Sequence, residues 1–305
     1  MNDIITDIKK LELETIKNLK NSKANNTVRA YESDFRDFSL FCIKNGLKQL
    51  PTEPKILSLY LTHLSKNSKF STLKRRIASI KVIHKMKGHY LDSNHPIIME
   101  NLLGIKRVNG AYQKPKKPLL INNLKKIIKV IDDKEKNETK RIRNKSLILV
   151  GFAGGFRRSE LVNINYEDLE FVDEGLKIFI KKSKTDQEGI GSIKAIPYFI
   201  NEEYCPVKKI KDWIRYHNIT EGKIYDISDK SVSLILKKYA LLAGLDPNLY
   251  GGHSLRSGFA TSAAEAGAEE RNIMAMTGHK TTQMVRRYIQ EANLFKNNAL
   301  NKIKI

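Results

Sequence analysis

The sequence predicts a mainly α-helical protein of two domains, an N-terminal helical bundle and a mostly helical C-terminal domain that holds a small three-stranded antiparallel sheet. Three observations predict it. Apolar residues return at three- and four-residue steps through most of the chain, the period of one helix face. A single window near residues 169–199 breaks that period with short runs of β-branched and aromatic residues between turn residues, the pattern of strands. Between the two helical regions, residues 107–118 carry two prolines, a glycine and four basic residues, the composition of a linker. A chain of 305 residues has room for about two domains at roughly 150 residues each. The expected division is 1–106, linker 107–118, and 119–305.

The first helix carries Val28, Tyr31, Phe35, Phe38 and Phe41 along one face and ends near Gly46. A second follows Pro54 with Ile56, Leu57, Tyr60, Leu61 and Leu64 inward. In the third, Ser71 is the expected N-cap, Leu73, Ile77, Ile80 and His84 line one face, and Lys74, Arg75, Lys81 and Lys85 lie largely elsewhere. Asn94-His95-Pro96 opens a fourth through Ile98, Leu102 and Ile105, with proline suited to a first turn. Past the linker, Leu124, Ile127, Ile128 and Ile131 mark a new amphipathic helix. Strands are expected at Leu169 to Val172, Leu176 to Ile180 and Ser192 to Phe199, joined by Asp173-Glu174-Gly175 and by a polar loop from Thr185 to Gly191. Near the end, Leu294, Phe295, Ala299, Leu300 and Ile303 keep a helical apolar stripe.

The 55 Lys and Arg exceed the 33 Asp and Glu by 22, and both parts of the chain share the excess: 23 basic against 10 acidic residues up to 117, and 32 against 23 after it. A polyanion lying across both domains explains this distribution better than a basic tail does, and duplex DNA is such a polyanion. Cys42 and Cys205 stand alone, without a Cys-x-x-Cys spacing, so a reducing, cytoplasmic setting is expected. The weakly polar run Ser146 to Phe156 is far short of the ~20 residues that cross a bilayer. No membrane span is expected. The histidines lack the neighbours of a zinc site, and no metal or cofactor is expected.

Four short stretches could carry chemistry. In "GFRRSEL" (155–161), the glycines break an apolar helix so that Arg157 starts the next one, with Glu160 a turn later to hold its guanidinium. In "SKT" (183–185), Lys184 sits where a strand gives way to a polar hairpin. In the stretch opening Gly251-Gly252-His253-Ser254-Leu255-Arg256, Ser254 is the expected cap, and His253 and Arg256 are three apart at a helix N-terminus, where both can face one phosphate. In "TGHKTTQMVRRY" (277–288), Tyr288 follows His279 by about two and a half turns. Singly these stretches also suit plain structure: Met284, Tyr288 and Ala292 could be a core face, and Lys184 an exposed hairpin tip. Jointly, Arg157, Lys184, His253, Arg256, His279 and Tyr288 are an anion-binding set with a hydroxyl nucleophile, and no carboxylate pair for catalytic metals stands beside them.

With "GFRRSEL", "SKT", "GGHSLRSGFATSAAEAG" and "TGHKTTQMVRRYI" in that order, the chain resembles a tyrosine recombinase of the phage integrase family, in its Xer-like and Cre-like branch. The resemblance implies a SAM-like N-terminal bundle that grips DNA and a catalytic domain in which Tyr288 is the nucleophile. It makes Arg157 and Arg256 the phosphate clamps, Lys184 the acid, and His253 and His279 the remaining phosphate-facing groups, with Glu160 supporting Arg157. It also implies two domains closed around duplex DNA as a C-shaped clamp, a tail that docks on the adjacent protomer, and four protomers on two DNA sites, with or without a partner recombinase.

The chemistry wants such residues. Charge grows on the oxygens of a phosphodiester under in-line attack, and two arginines supply fixed donors for it. A tyrosine hydroxyl, with an ordinary pKa near ~10, attacks well when a positive pocket and a base favour loss of its proton. A 3′-phosphotyrosyl link keeps the energy of the broken bond, so rejoining needs no nucleotide cofactor. Lys74, Arg75 and Lys81 on the third helix and Lys116 and Lys117 in the linker are the candidate backbone contacts. A type IB-like topoisomerase or telomere resolvase shares the cleavage chemistry, and a non-catalytic DNA-binding regulator is the reading from another class. An RNA-binding module would need exposed aromatic platforms on the sheet, which offers only scattered ones.

Overall fold

In a computed structural model of the chain, the residues described are 25–110, 115–181, 191–293 and 299–303, with 10, 11, 14 and 295. They fall into two compact units that part between Lys114 and Pro115.

The first unit is a bundle of four described helices: α1 (Asn25–Lys44), α2 (Pro54–Ser65), α3 (Phe70–Met86) and α4 (Pro96–Asn109). α1 packs on α3, and α2 on α4. The aromatic face of α1 is the reason. Phe38 is fully buried and meets the Tyr60 ring of α2 edge-on at 5.1 Å, a geometry that aromatic quadrupoles favour. Leu57, Leu61, Leu73, Ile80 and Ile98 close the core around this pair. The expected cap of α3 is corrected. The helix starts at Phe70 with Lys69 as its N-cap, so Ser71 lies inside the first turn. α4 opens as the sequence suggests, with Pro96 in the first turn and the His95 ring accepting from Ile97 N. It runs on through Arg107 to Asn109.

The second unit is built around α6 (Glu138–Ala153), whose residues 146–153 are buried on every side, as befits a central helix. Around it lie α5 (Ile121–Lys134), α8 (Pro206–Tyr216) and α9 (Asp229–Leu242). The sheet runs β1 (Leu169–Val172), β2 (Gly175–Ile180), β3 (Ser192–Pro197), antiparallel throughout, with Leu169 opposite Ile178 and Ile178 opposite Lys194. Four further helices carry the site: α7 (Arg158–Leu161), α10 (His253–Glu265), α11 (Glu270–Thr277) and α12 (Thr282–Asn293). α10 packs on α6 and receives α12.

Residues 116–119 are strapped onto this second unit. Lys116 Nζ donates to Asn248 O, Lys117 N to Leu249 O at 2.8 Å, and Leu119 N to Ser254 O at 2.9 Å. Near the chain end, Ala299–Lys302 forms a 3₁₀ turn where a continued α-helical stripe was expected, and Leu300 and Ile303 are exposed. Leu294 lies outside the described residues.

Candidate active site

Arg157 occupies the N-cap of α7. Glu160 is buried and serves it twice: Oε2 accepts from Arg157 N at 2.9 Å and Oε1 from Nη1 at 2.5 Å. The guanidinium is thus held by a charged, short-range partner. Its Nη2 reaches Gly278 O at 3.4 Å, which links the start of α7 to the end of α11.

Arg256, in the first turn of α10, is only 1% exposed. Nη1 donates to Gly155 O at 3.0 Å, while Nη2 is buried with no hydrogen-bond partner. A buried guanidinium with a spare donor calls for an anion. Burial, and then the charge of Arg157, bring its pKa down to about 10, with Glu160 opposing the shift, since desolvation and a like charge both disfavour the charged form.

His253 is the first residue of α10, and its Nε2 lies 3.2 Å from the Tyr288 hydroxyl. The ring keeps an exposed edge. Partial burial of the imidazole, then the charges of Arg256, Arg157 and Arg158, push its pKa below 6.5. Ser254 is not the cap expected of it. The N-cap is Gly252, and Ser254 is buried in the first turn, accepting from Gly251 N at 3.0 Å. Ser233 of α9 steadies the helix start instead: its hydroxyl accepts from Gly252 N at 3.0 Å and from Arg158 Nη1 at 3.1 Å.

His279 follows Gly278, which ends α11 in the left-handed conformation at φ 61°, the usual place for glycine after a helix. Its Nδ1 lies 2.7 Å from the Thr277 hydroxyl, which in turn lies 2.6 Å from Ile273 O, so the ring is oriented by the helix end. Burial, Arg256 and Arg157 push its pKa down to about 4. Tyr288, on α12, is half-buried beside a small core of Ala260, Ala264, Ile273 and Val285, and its ring stands 5.9 Å from that of His279. Tyr288 is therefore not a sealed core residue. Met284, expected on the same face, is exposed, and Val285 makes the core contact instead.

Arg157, Glu160, His253, Arg256, His279 and Tyr288 thus come together from three segments far apart in sequence. Lys184 lies outside the described residues, between β2 and β3. Of the candidate backbone contacts, Lys74 and Lys81 are exposed on α3. Arg75 is ion-paired to the buried Asp34 of α1, which also accepts from Ser79 Oγ at 2.7 Å. Lys116 and Lys117 are exposed along the second unit. Arg286 faces Glu270 across 3.4 Å. Among the described residues, no group of three or more His, Cys, Asp or Glu side chains is placed to hold a metal ion, and no helix is long and apolar enough to cross a membrane.

Sequence reasoning missed Lys194 of β3. It is buried beside the site, donates to Gly154 O at 2.7 Å and to Met276 O, and has its pKa lowered to about 8 by burial, partly opposed by Glu160 and reinforced by Arg256 and Arg157. The signal was the two-residue alternation of the strand, which turns Lys194 and Ile196 inward and leaves Ile193 exposed.

The model of the phage integrase family matches residues 118–294. An integrase/recombinase xerD homolog of Selenomonas ruminantium is 40% identical over 314 residues, covering 98% of this chain and 91% of its own. The tyrosine recombinase XerD of Rickettsia bellii is 26% identical over 275 residues, covering 85% and 87%. Among solved structures, a lambda integrase dimer bound to a COC′ core site is similar with a TM-score of 0.60 at 18% identity, covering 96% of this chain and 98% of that one. The Tn1549 transposon integrase in complex with transposon right end DNA reaches 0.65 at 15% identity, covering 93% and 97%. At such identities these likenesses speak for the fold.

Proposed function

The chain belongs to the phage integrase family, and from that premise we propose that it is a site-specific recombinase that cleaves and rejoins duplex DNA through a 3′-phosphotyrosyl intermediate on Tyr288. The observation that carries the assignment of the nucleophile is the 3.2 Å approach of His253 Nε2 to the Tyr288 hydroxyl, beside a buried Arg256 with an unused donor.

The steps follow from the side chains. A scissile phosphate draws Arg157 and the free Nη2 of Arg256 onto its non-bridging oxygens, where charge grows as phosphorus becomes five-coordinate. Both arginines are in place before DNA arrives, one held by Glu160 and the other by Gly155 O, so little reorganisation is asked of them. His253, its pKa already lowered, is neutral near pH 7 and accepts the phenolic proton as the Tyr288 oxygen bonds to phosphorus. The bond to the 5′ oxygen breaks, and that oxygen leaves with a proton. Lys184 is the donor on the strength of its motif. His279 adds a further contact to the phosphate. Reversal with the 5′ hydroxyl of another strand restores a phosphodiester and frees the tyrosine, with no net change in bond energy.

The same reading takes residues 1–106 as a DNA-gripping domain, 107–118 as its tether and 119–305 as the catalytic domain, working in the cytoplasm on the nucleoid. Lys74 and Lys81, with Lys116 and Lys117, contact the backbone. Arg75 contributes through Asp34 to the shape of the surface around them. Four protomers assemble on two DNA sites, alone or with a partner recombinase, and the exposed Leu300 and Ile303 supply apolar surface for a neighbouring protomer.

The test is incubation with nicked candidate DNA, followed by denaturing electrophoresis. A covalent adduct is expected from the wild-type protein and none from Tyr288→Phe. An adduct that survives the substitution assigns the nucleophile elsewhere.

A further inference from the structure

Burying an ammonium is costly unless its hydrogens are satisfied, and Lys194 is 5% exposed. Its Nζ donates to two main-chain carbonyls, Gly154 O and Met276 O, and stands 4.6 Å from the centroid of the Phe156 ring. The two carbonyls belong to segments that are distant in sequence. Gly154 closes α6 three residues before Arg157, and Met276 lies in the last turn of α11, three residues before His279. A direct bridge between the two segments is the longer Arg157 Nη2 to Gly278 O contact at 3.4 Å.

An apolar side chain would fill this inward place on β3 at lower cost in the free protein. A cation here is disfavoured first by its burial; Glu160 supports it, and the charges of Arg256 and Arg157 oppose it. The position becomes favourable for a cation once a phosphate enters the same pocket. A charge that is a burden in the free protein and an asset in the complex has the signature of a functional group.

We propose that Lys194 is a positioning residue for DNA cleavage: its buried ammonium ties the turn that launches Arg157 to the turn that launches His279, and so sets the spacing of the groups that face the phosphate. The inference rests on the reading of Arg157 and His279 given above. It does not make Lys194 a donor to substrate. Misplacing reacting groups by about 1 Å costs about 100-fold in rate, and this is the size of effect expected when the tie is cut.

The experiment compares the full-length protein with Lys194→Met, which keeps the length without the charge, and Lys194→Arg, which keeps the charge. Amide hydrogen exchange on the free proteins is expected to quicken in Lys194→Met at residues 155–158 and 277–280 and to return toward wild type in Lys194→Arg. Single-turnover adduct formation on nicked DNA is expected to slow about 100-fold in Lys194→Met at unchanged DNA affinity, with Lys194→Arg recovering most of the loss. Should the Met variant fail to fold, Lys194→Gln is judged by the same readouts. Unchanged exchange at both segments, or a rate loss that only follows lost affinity, overturns the proposal. Absence of any Tyr288-dependent adduct in the wild type would instead overturn the recombinase reading, while the exchange comparison still decides whether the tie exists.

Discussion

His253 Nε2 and the Tyr288 hydroxyl face each other across 3.2 Å within a single chain. The helix start that carries His253 is fixed by Ser233 and by the Arg158 side chain lying over Gly252, so the imidazole is held while Tyr288 rides on α12. Partial burial and three arginines keep the imidazole pKa below its ordinary 6.5. A base must be unprotonated to act, so cleavage should be on its plateau at neutral pH and lose rate only as pH falls below 6.5. His253→Ala should slow adduct formation by about 10² to 10⁴-fold with little change in DNA affinity. Single-turnover rates from about pH 5 to 8 check both points; an acid limb centred above 6.5 would point to another base.

The same pairing predicts who cuts for whom. Because nucleophile, base and both arginines belong to one chain, each protomer should cleave with its own Tyr288. A mixture of Tyr288→Phe and Arg256→Ala proteins on one DNA substrate should therefore form no adduct. Recovery of cleavage in the mixture, read by denaturing electrophoresis, would mean that the tyrosine is donated between protomers.

Much of this site was legible because its residue types are costly to explain otherwise. Two arginines and two histidines flanking a tyrosine, each at a helix boundary, announce an anion pocket, and the helical periods of α1 to α5 follow from one-sided apolar stripes. What stayed hidden depends on where side chains settle after packing. Nothing in the sequence distinguishes Arg256, buried with a spare donor, from Arg157, partly exposed and held by Glu160. Lys194 escaped because a lysine in a strand is ordinarily read as the outward residue, and here the pleat turns it in. The tight fit at Gly252 was hidden too, because its neighbour comes from a distant segment: a Cβ there would lie 1.9 Å from Arg158 Cδ.

Two glycines of this region separate soft from hard crowding. A Cβ at Gly258 would lie 2.2 Å from Leu119 O and 2.8 Å from its carbonyl carbon, both main-chain atoms fixed by the Leu119 N to Ser254 O bond. Gly258→Ala should push residues 116–119 off α10 and cost roughly 1–3 kcal/mol or more. Gly252→Ala meets the flexible Arg158 side chain, which can move aside. It should leave stability closer to wild type and show its effect in cleavage rate, because Arg158 and Ser233 steady the start of the His253 helix. Denaturant midpoints and single-turnover rates for the two variants check this, and equal destabilisation by both would refute the distinction.

His84 makes the first unit sensitive to acid. The ring is fully buried on α3, with Nδ1 donating to Ile80 O at 2.8 Å and Nε2 accepting from Thr52 N at 3.0 Å, so both nitrogens are satisfied by the neutral imidazole alone. Burial is the main reason its pKa lies below 6.5, with a smaller push from His89 and an opposing one from the Ile80 carbonyl. Protonation would set an N–H against the Thr52 N–H. Since the folded-state pKa is the lower one, the stabilisation is complete above 6.5 and fades as pH falls from there toward the folded value, at up to about 1.4 kcal/mol per pH unit. Amide protection in α3, corrected for intrinsic exchange, should hold steady above 6.5 and then fall by up to about tenfold per unit. Protection that stays level down to about pH 5 would mean that His84 is not the group through which acid loosens this bundle.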